Sequence, residues 1–123
     1  MTCPIQISVQ TSYIQAQSRP LAARFVYAYT ITIKNDGNEP AQLLNRHWII
    51  TDASNKVQEV KGPGVVGEQP RLLPGQEYRY TSGVILETET GTMEGSYQMR
   101  KDSGELFDAP IPTFVLIPPH SIH

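Results

Sequence analysis

The chain is 123 residues long, 39% hydrophobic and 18% charged, with ten Lys and Arg against twelve Asp and Glu for a formal charge of −2. That length supports one domain, residues 1–123, around one core, and the composition is too apolar for a disordered tail. No cationic surplus offers itself to phosphate, which argues against bulk nucleic-acid binding, and no apolar run approaches the ~20 residues that cross a bilayer.

The N-terminus, MTCPIQISVQTSYI, has neither a basic leader nor a continuous apolar run, so no signal peptide and a cytoplasmic location are expected. The single cysteine, Cys3, excludes an intrachain disulfide framework and a cysteine-rich zinc site. It has no basic neighbour to lower its pKa and is not read as a nucleophile. Period-two alternation then dominates. In Ile5–Tyr13, Ile5, Ile7 and Val9 share one face; in Arg24–Asn35, Phe25, Tyr27, Tyr29, Ile31 and Ile33 do the same. QAQSRP (15–20) between them reads as a loop, and DGNEP (36–40) as a turn in which Gly37 and Asn38 can take positive φ.

A third strand, Leu43–Thr51, carries Trp48, and SNK (54–56) returns the chain into Val57–Lys61. LLPGQ (72–76) reads as a turn before the alternating Tyr78 and Tyr80. Thr92–Lys101 alternates again, DSG (102–104) turns into a short strand Glu105–Asp108, and Thr113–Ile117 makes a last strand. Prolines interrupt most windows that could carry a helical period. Short strands at this spacing without crossover helices predict an all-β, antiparallel sandwich or barrel.

KGPGVVGEQP (61–70) raises the sharpest functional question. Gly62, Gly64 and Gly67 fit G-x-G-x-x-G, the spacing that holds a dinucleotide pyrophosphate at a helix start. Pro70 and Pro74 forbid the helix that motif needs, and with it the row of free amides. Two readings remain. The glycines serve a bulge or a crossing between sheets, or they form a nest of backbone amides that takes a small anion, with Lys61 and Arg71 flanking it and Arg46 brought near by folding.

RHW (46–48) puts Arg46 and Trp48 on one face of a strand and His47 on the other. Trp48 reads as core, Arg46 as a packed stem with a solvated head, and His47 as a surface histidine. His120 and His123 read as a solvated tail rather than a metal site. Glu87, Glu89 and Glu94 surround TETGT, a hairpin turn, and no G-x-S-x-G elbow occurs. No catalytic residue, cofactor site or metal site emerges.

The ordered runs LLNRHWIITD (43–52), GPGVVGEQPRLLPGQEYRYTSG (62–83) and GTMEGSYQM (91–99) resemble the bacterial ApaG family over most of the chain. The resemblance implies an immunoglobulin-like, fibronectin type III-like β-sandwich. It also implies kinship with domains appended to F-box and polymerase-interacting proteins, a genetic link to cobalt resistance and magnesium efflux, and a gene neighbouring that of a diadenosine tetraphosphate hydrolase. It carries over no catalytic residues.

The expected function is therefore a non-enzymatic module for an unidentified protein partner, presenting an apolar or aromatic patch. The alternative is binding of a small anion, nucleotide or pyrophosphate at the glycine stretch. The residues named for either are Arg46, His47, Lys61, Gly62, Gly64, Gly67 and Arg71.

Overall fold

Alternating side chains require two layers, and the computed structural model, which describes residues 3–119, has them. The strands are β1 (Ile5–Tyr13), β2 (Phe25–Asn35), β3 (Ala41–Asp52), β4 (Val57–Pro63), β5 (Arg71–Leu72), β6 (Glu77–Leu86), β7 (Gly91–Lys101) and β8 (Leu106–Leu116). One sheet runs β1-β2-β6; the other runs β4-β3-β7-β8, with β5 in line with β4 along the same edge of β3. Every pairing is antiparallel. This is the fibronectin type III-like order. The expected histidine tail, His120 and His123, lies outside the described residues.

The core is the set of inward positions that the alternation marked. Tyr27, Tyr29, Ile31 and Ile33 of β2 meet Leu43, Trp48, Met93, Tyr97 and Met99 of the opposite sheet. Trp48 organises the aromatic part, edge-on to Tyr29 at 5.4 Å, to Phe114 at 5.9 Å and to Tyr97 at 6.3 Å. Edge-to-face contacts set the negative ring face against a positive edge, which adds orientation to burial. Asn35 is a buried polar residue with its bonds made: its amide donates to Glu39 and Leu72 carbonyls and its oxygen accepts from Gly37 N–H.

The boundaries that differ from expectation by more than one residue do so for physical reasons. β4 runs past Lys61 to Pro63 because Gly62 and Pro63 still pair with Arg46 and Asn45 of β3. The two expected C-terminal strands are one strand, β8, which runs through Pro110 and Pro112. It is an edge strand, and there a missing N–H on the solvent side costs no ladder bond. The segment 72–76 is a turn only from Leu73 onward; Arg71 and Leu72 pair with β3, and Leu72 is buried. Residues 15–22 form short 3₁₀ turns that cover the outer side of Val26, pinned by Ser18 Oγ, which donates to Ile14 O and accepts from Val26 N–H, both at 2.9 Å. Finally, β3 begins at Ala41 and carries a bulge at Leu44, where its register with β7 jumps from Leu43 to Asn45.

Besides the Asn35 bond to Leu72, the layers are joined by a hydrogen bond between two side chains, the hydroxyls of Tyr80 on β6 and Tyr97 on β7. Burial pushes both phenols up, beyond the usual tyrosine range. Replacing Tyr97 with Phe strands the Tyr80 hydroxyl and should cost about 1–3 kcal/mol in urea denaturation; Tyr80→Phe/Tyr97→Phe should lose less than the sum of the single changes. Because the folded protein holds these protons more tightly than the unfolded chain, their contribution is complete below pH ~10 and falls as the pH climbs beyond it. The double variant should show a shallower alkaline fall in stability.

Candidate functional site: the cleft between β4 and β6

The sandwich is closed on one side, where β1 packs against β8, and open on the other. There the edge strands β4 and β6 stand apart over a cleft of about 550 Å³ walled by Tyr29, Trp48, Ile50, Val60, Ser82 and Val84. It continues into a space of about 230 Å³ beneath the glycine loop, with which it shares Tyr29, Arg46, Trp48 and Ser82. The inward positions of β6 are Tyr78, Tyr80, Ser82, Val84 and Leu86, and the small hydroxyl at the middle position leaves the gap. Position 82 is therefore a functional candidate that sequence reading missed, although a serine between two large inward residues in YTSG is a usable signal.

Of the seven residues named from sequence, Arg46, His47, Lys61 and Gly62 line a shallow depression of about 520 Å³ beside Ser96, Gln98 and Asp108, while Gly64, Gly67 and Arg71 do not join it. His47 and Lys61 lie opposite each other across β3 and β4, on the outer face, and both contact Glu59: His47 Nε2 at 2.7 Å and Lys61 Nζ at 3.4 Å. The His47 and Lys61 contacts hold the Glu59 carboxyl below the usual carboxylate range. Arg71 is engaged elsewhere. Its guanidinium grips Asp102 through two nitrogens and keeps that carboxyl low as well.

Arg46 is the one of the seven whose side chain hydrogen-bonds the glycine loop, and it also borders the cleft. Its Nη1 donates to the carbonyls of Pro63 at 2.9 Å and Gly64 at 3.1 Å. The guanidinium lies over Gly62, where a β-carbon would come within 3.0 Å of both terminal nitrogens. The head is thus half-buried and fixed by the loop, rather than solvated at the sheet edge as expected.

The loop itself is a second hairpin. Val65 and Glu68 exchange two backbone hydrogen bonds around Val66 and Gly67, both at positive φ, which is the type I′ arrangement. At Gly64 a β-carbon would sit 2.3 Å from the Glu68 carbonyl, so only glycine fits. The amides of Gly64, Val65 and Glu68 are bonded within the chain, and the loop turns the Pro63 and Gly64 carbonyls toward Arg46. Chain continues from this hairpin into β5, with no helix after Gly67. Val66 has no sequence signal of its kind, because a β-branched residue argues against positive φ. At φ 42° it is strained, and its side chain is exposed at the cleft mouth.

A scan of family models matches residues 15–101 to the ApaG domain. The chain belongs to the ApaG family. It is 58% identical over 119 residues to Protein ApaG of Thiobacillus denitrificans, covering 97% of this chain and 94% of that one. To Protein ApaG of Acidithiobacillus ferrooxidans it is 59% identical over 112 residues, covering 91% and 88%. The solved structure of a Bordetella pertussis protein described as ApaA superposes with a TM-score of 0.92 at 48% identity, covering 94% of each chain. An Archaeoglobus fulgidus protein at 8% identity and TM-score 0.56 shares the fold alone.

Among the described residues of this ApaG chain, no group of three or more His, Cys, Asp or Glu side chains is placed to hold a metal ion, and no helix is long and apolar enough to cross a membrane. Glu87 is paired with Lys56, and Glu94 accepts from Thr113. The strain at Val66 has a direct consequence. Val66→Asn creates Asn-Gly, the pair a type I′ turn favours, and should raise stability by about 1 kcal/mol, read as an increase of several degrees in Tm.

Proposed function

We propose that this ApaG domain is a non-enzymatic binding module that accepts an extended segment of a protein partner along β6, with alternate side chains entering the cleft. The observation that carries this reading is the unequal protection of the two strands that flank the opening. β4 has Glu59, Lys61 and Pro63, the charges and proline that discourage pairing on an edge. β6 from Thr81 to Leu86, TSGVIL, has no charge, proline or bulge, yet it ends its sheet.

An incoming strand would gain main-chain hydrogen bonds from β6 and side-chain specificity from the cleft, the division of labour in β-strand addition. Val66 and Ile85, both exposed, flank this opening and supply apolar contact at its ends. The protonated, mutually bonded Tyr80 and Tyr97 suit a rigid binding wall better than proton transfer. The family's link to cobalt and magnesium handling would then act through the partner engaged.

A second reading, uptake of a small anion or nucleotide, is favoured by one feature, the position of Arg46. Its test is separate and follows below.

Randomised linear peptides displayed on phage and selected on the intact chain should yield binders that protect β6 amides from hydrogen exchange. Ser82→Lys, which fills the cleft, should weaken them about tenfold or more, while Gln98→Lys on the outer face should not. Selected peptides that bind Ser82→Lys unchanged, or that protect amides away from β6 and β4, would refute the proposal.

A further inference from the structure

Resting on that reading, we propose that Arg46 selects the partner by taking an Asp or Glu side chain of the docked segment. Three other cations near the cleft have counter-charges: Lys56 has Glu87, Lys61 has Glu59 and Arg71 has Asp102; Arg24 and Arg79, which lack one, donate to Gln17 O and Thr32 Oγ1 instead. Arg46 has no carboxylate among the described residues. Its hydrogen bonds go from Nη1 to two neutral carbonyls, and Nε and Nη2 make none.

An arginine in this state is prepared for an anion. The carbonyls of Pro63 and Gly64 and the flat surface at Gly62 fix the guanidinium plane, so little side-chain freedom remains to be lost on binding. Tyr29, Trp48, Tyr80 and Val65 surround it and lower the local dielectric, which strengthens a charge-assisted bond over the same contact in water. The unbonded edge of the fork matches a carboxylate.

The lining favours a side chain over a nucleotide. Arg46 borders both the space of about 230 Å³ and the adjoining cleft of about 550 Å³, and on this side no second cation lines either. The adjoining cleft is walled mainly by Trp48, Ile50, Val60, Val84 and Met93, which suit apolar side chains. Side chains on one face of an extended segment recur every second residue, roughly 6.5–7 Å apart. The preferred ligand therefore has an acidic residue two positions from an apolar one.

The phage selection described above separates the two claims. Wild-type binders should be enriched in Asp or Glu two positions from an aliphatic or aromatic residue. Changing that acid to its amide in a synthetic peptide should weaken binding about tenfold or more, and raised salt should weaken the acidic peptide more than the amide. Arg46→Gln should bind the two peptides equally while still binding through the apolar positions; Arg46→Lys should restore part of the preference.

If cleft-mapped binders show no acid preference, or if amide and acid peptides bind wild type alike, the Arg46 assignment falls and the docking reading stands. If no peptide maps to β6, both fall. Because the acid-to-amide comparison is made on the wild-type chain, a poorly folded Arg46 variant does not weaken the test. Pyrophosphate or ATP that raises the wild-type Tm by several degrees and competes with the acidic peptide would instead assign Arg46 to a small anion and overturn the proposal.

Discussion

The bulge at Leu44 sets the phase of everything that follows it. In an unbroken strand Leu43 and Arg46 would face opposite sides, three residues apart; the extra residue puts both inward, together with Trp48 and Ile50. Without it, the buried Leu43 would force Trp48 toward solvent. The bulge also leaves the Leu44 carbonyl outside the β3–β7 ladder, and the glycine segment supplies its partners. Gly64 N–H and Gln69 Nε2 both donate to it at 2.9 Å. One irregular residue thus turns an arginine into the cleft and anchors the loop that then holds it.

The cleft is a consequence of unequal layers as much as of individual side chains. β4 and β5 extend the second sheet past the edge of the first, so the inward positions of β4, Gln58, Val60 and Gly62, have no complete cover. A large residue at position 82 would fill part of this gap. Serine leaves it open, while the tyrosine bond between the sheets holds the neighbouring wall in place. Rigidity beside an unfilled space is what a recognition groove requires, since ordering costs then fall on the ligand alone.

Much of the fold was legible because alternation is a local signal. β1 was read with its full span, and the inward face of β2 was read residue for residue. What was illegible depended on neighbours distant in sequence. Pro110 and Pro112 look like strand breakers until β8 is known to be an edge, and Arg71–Leu72 looks like a turn until β3 is known to lie beside it. The site divided in the same way. The seven residues were close in sequence, but parity and pairing sent His47 and Lys61 outward and gave Arg71 to Asp102, thirty-one residues away. Arg46 and the glycines did come together, and Ser82 entered the site from another sheet.

The spacing of the glycines is met by requirements internal to this chain. In a dinucleotide fold the same spacing frees amides for a pyrophosphate. Here position 62 must be bare for a guanidinium to lie on it, position 64 must be bare for the Glu68 carbonyl to approach, and position 67 must accept positive φ to close the hairpin. The outcome has opposite polarity at Arg46, since the loop presents carbonyls to a cation and keeps the amides of Gly64, Val65 and Glu68 for bonds within the chain. A shared spacing therefore says little until the bond partners of each amide are known. The hydrogen-bonding capacity that the fold leaves unused here is the Nε and Nη2 edge of Arg46 together with the amides of Val66 and Gly67 at the hairpin tip.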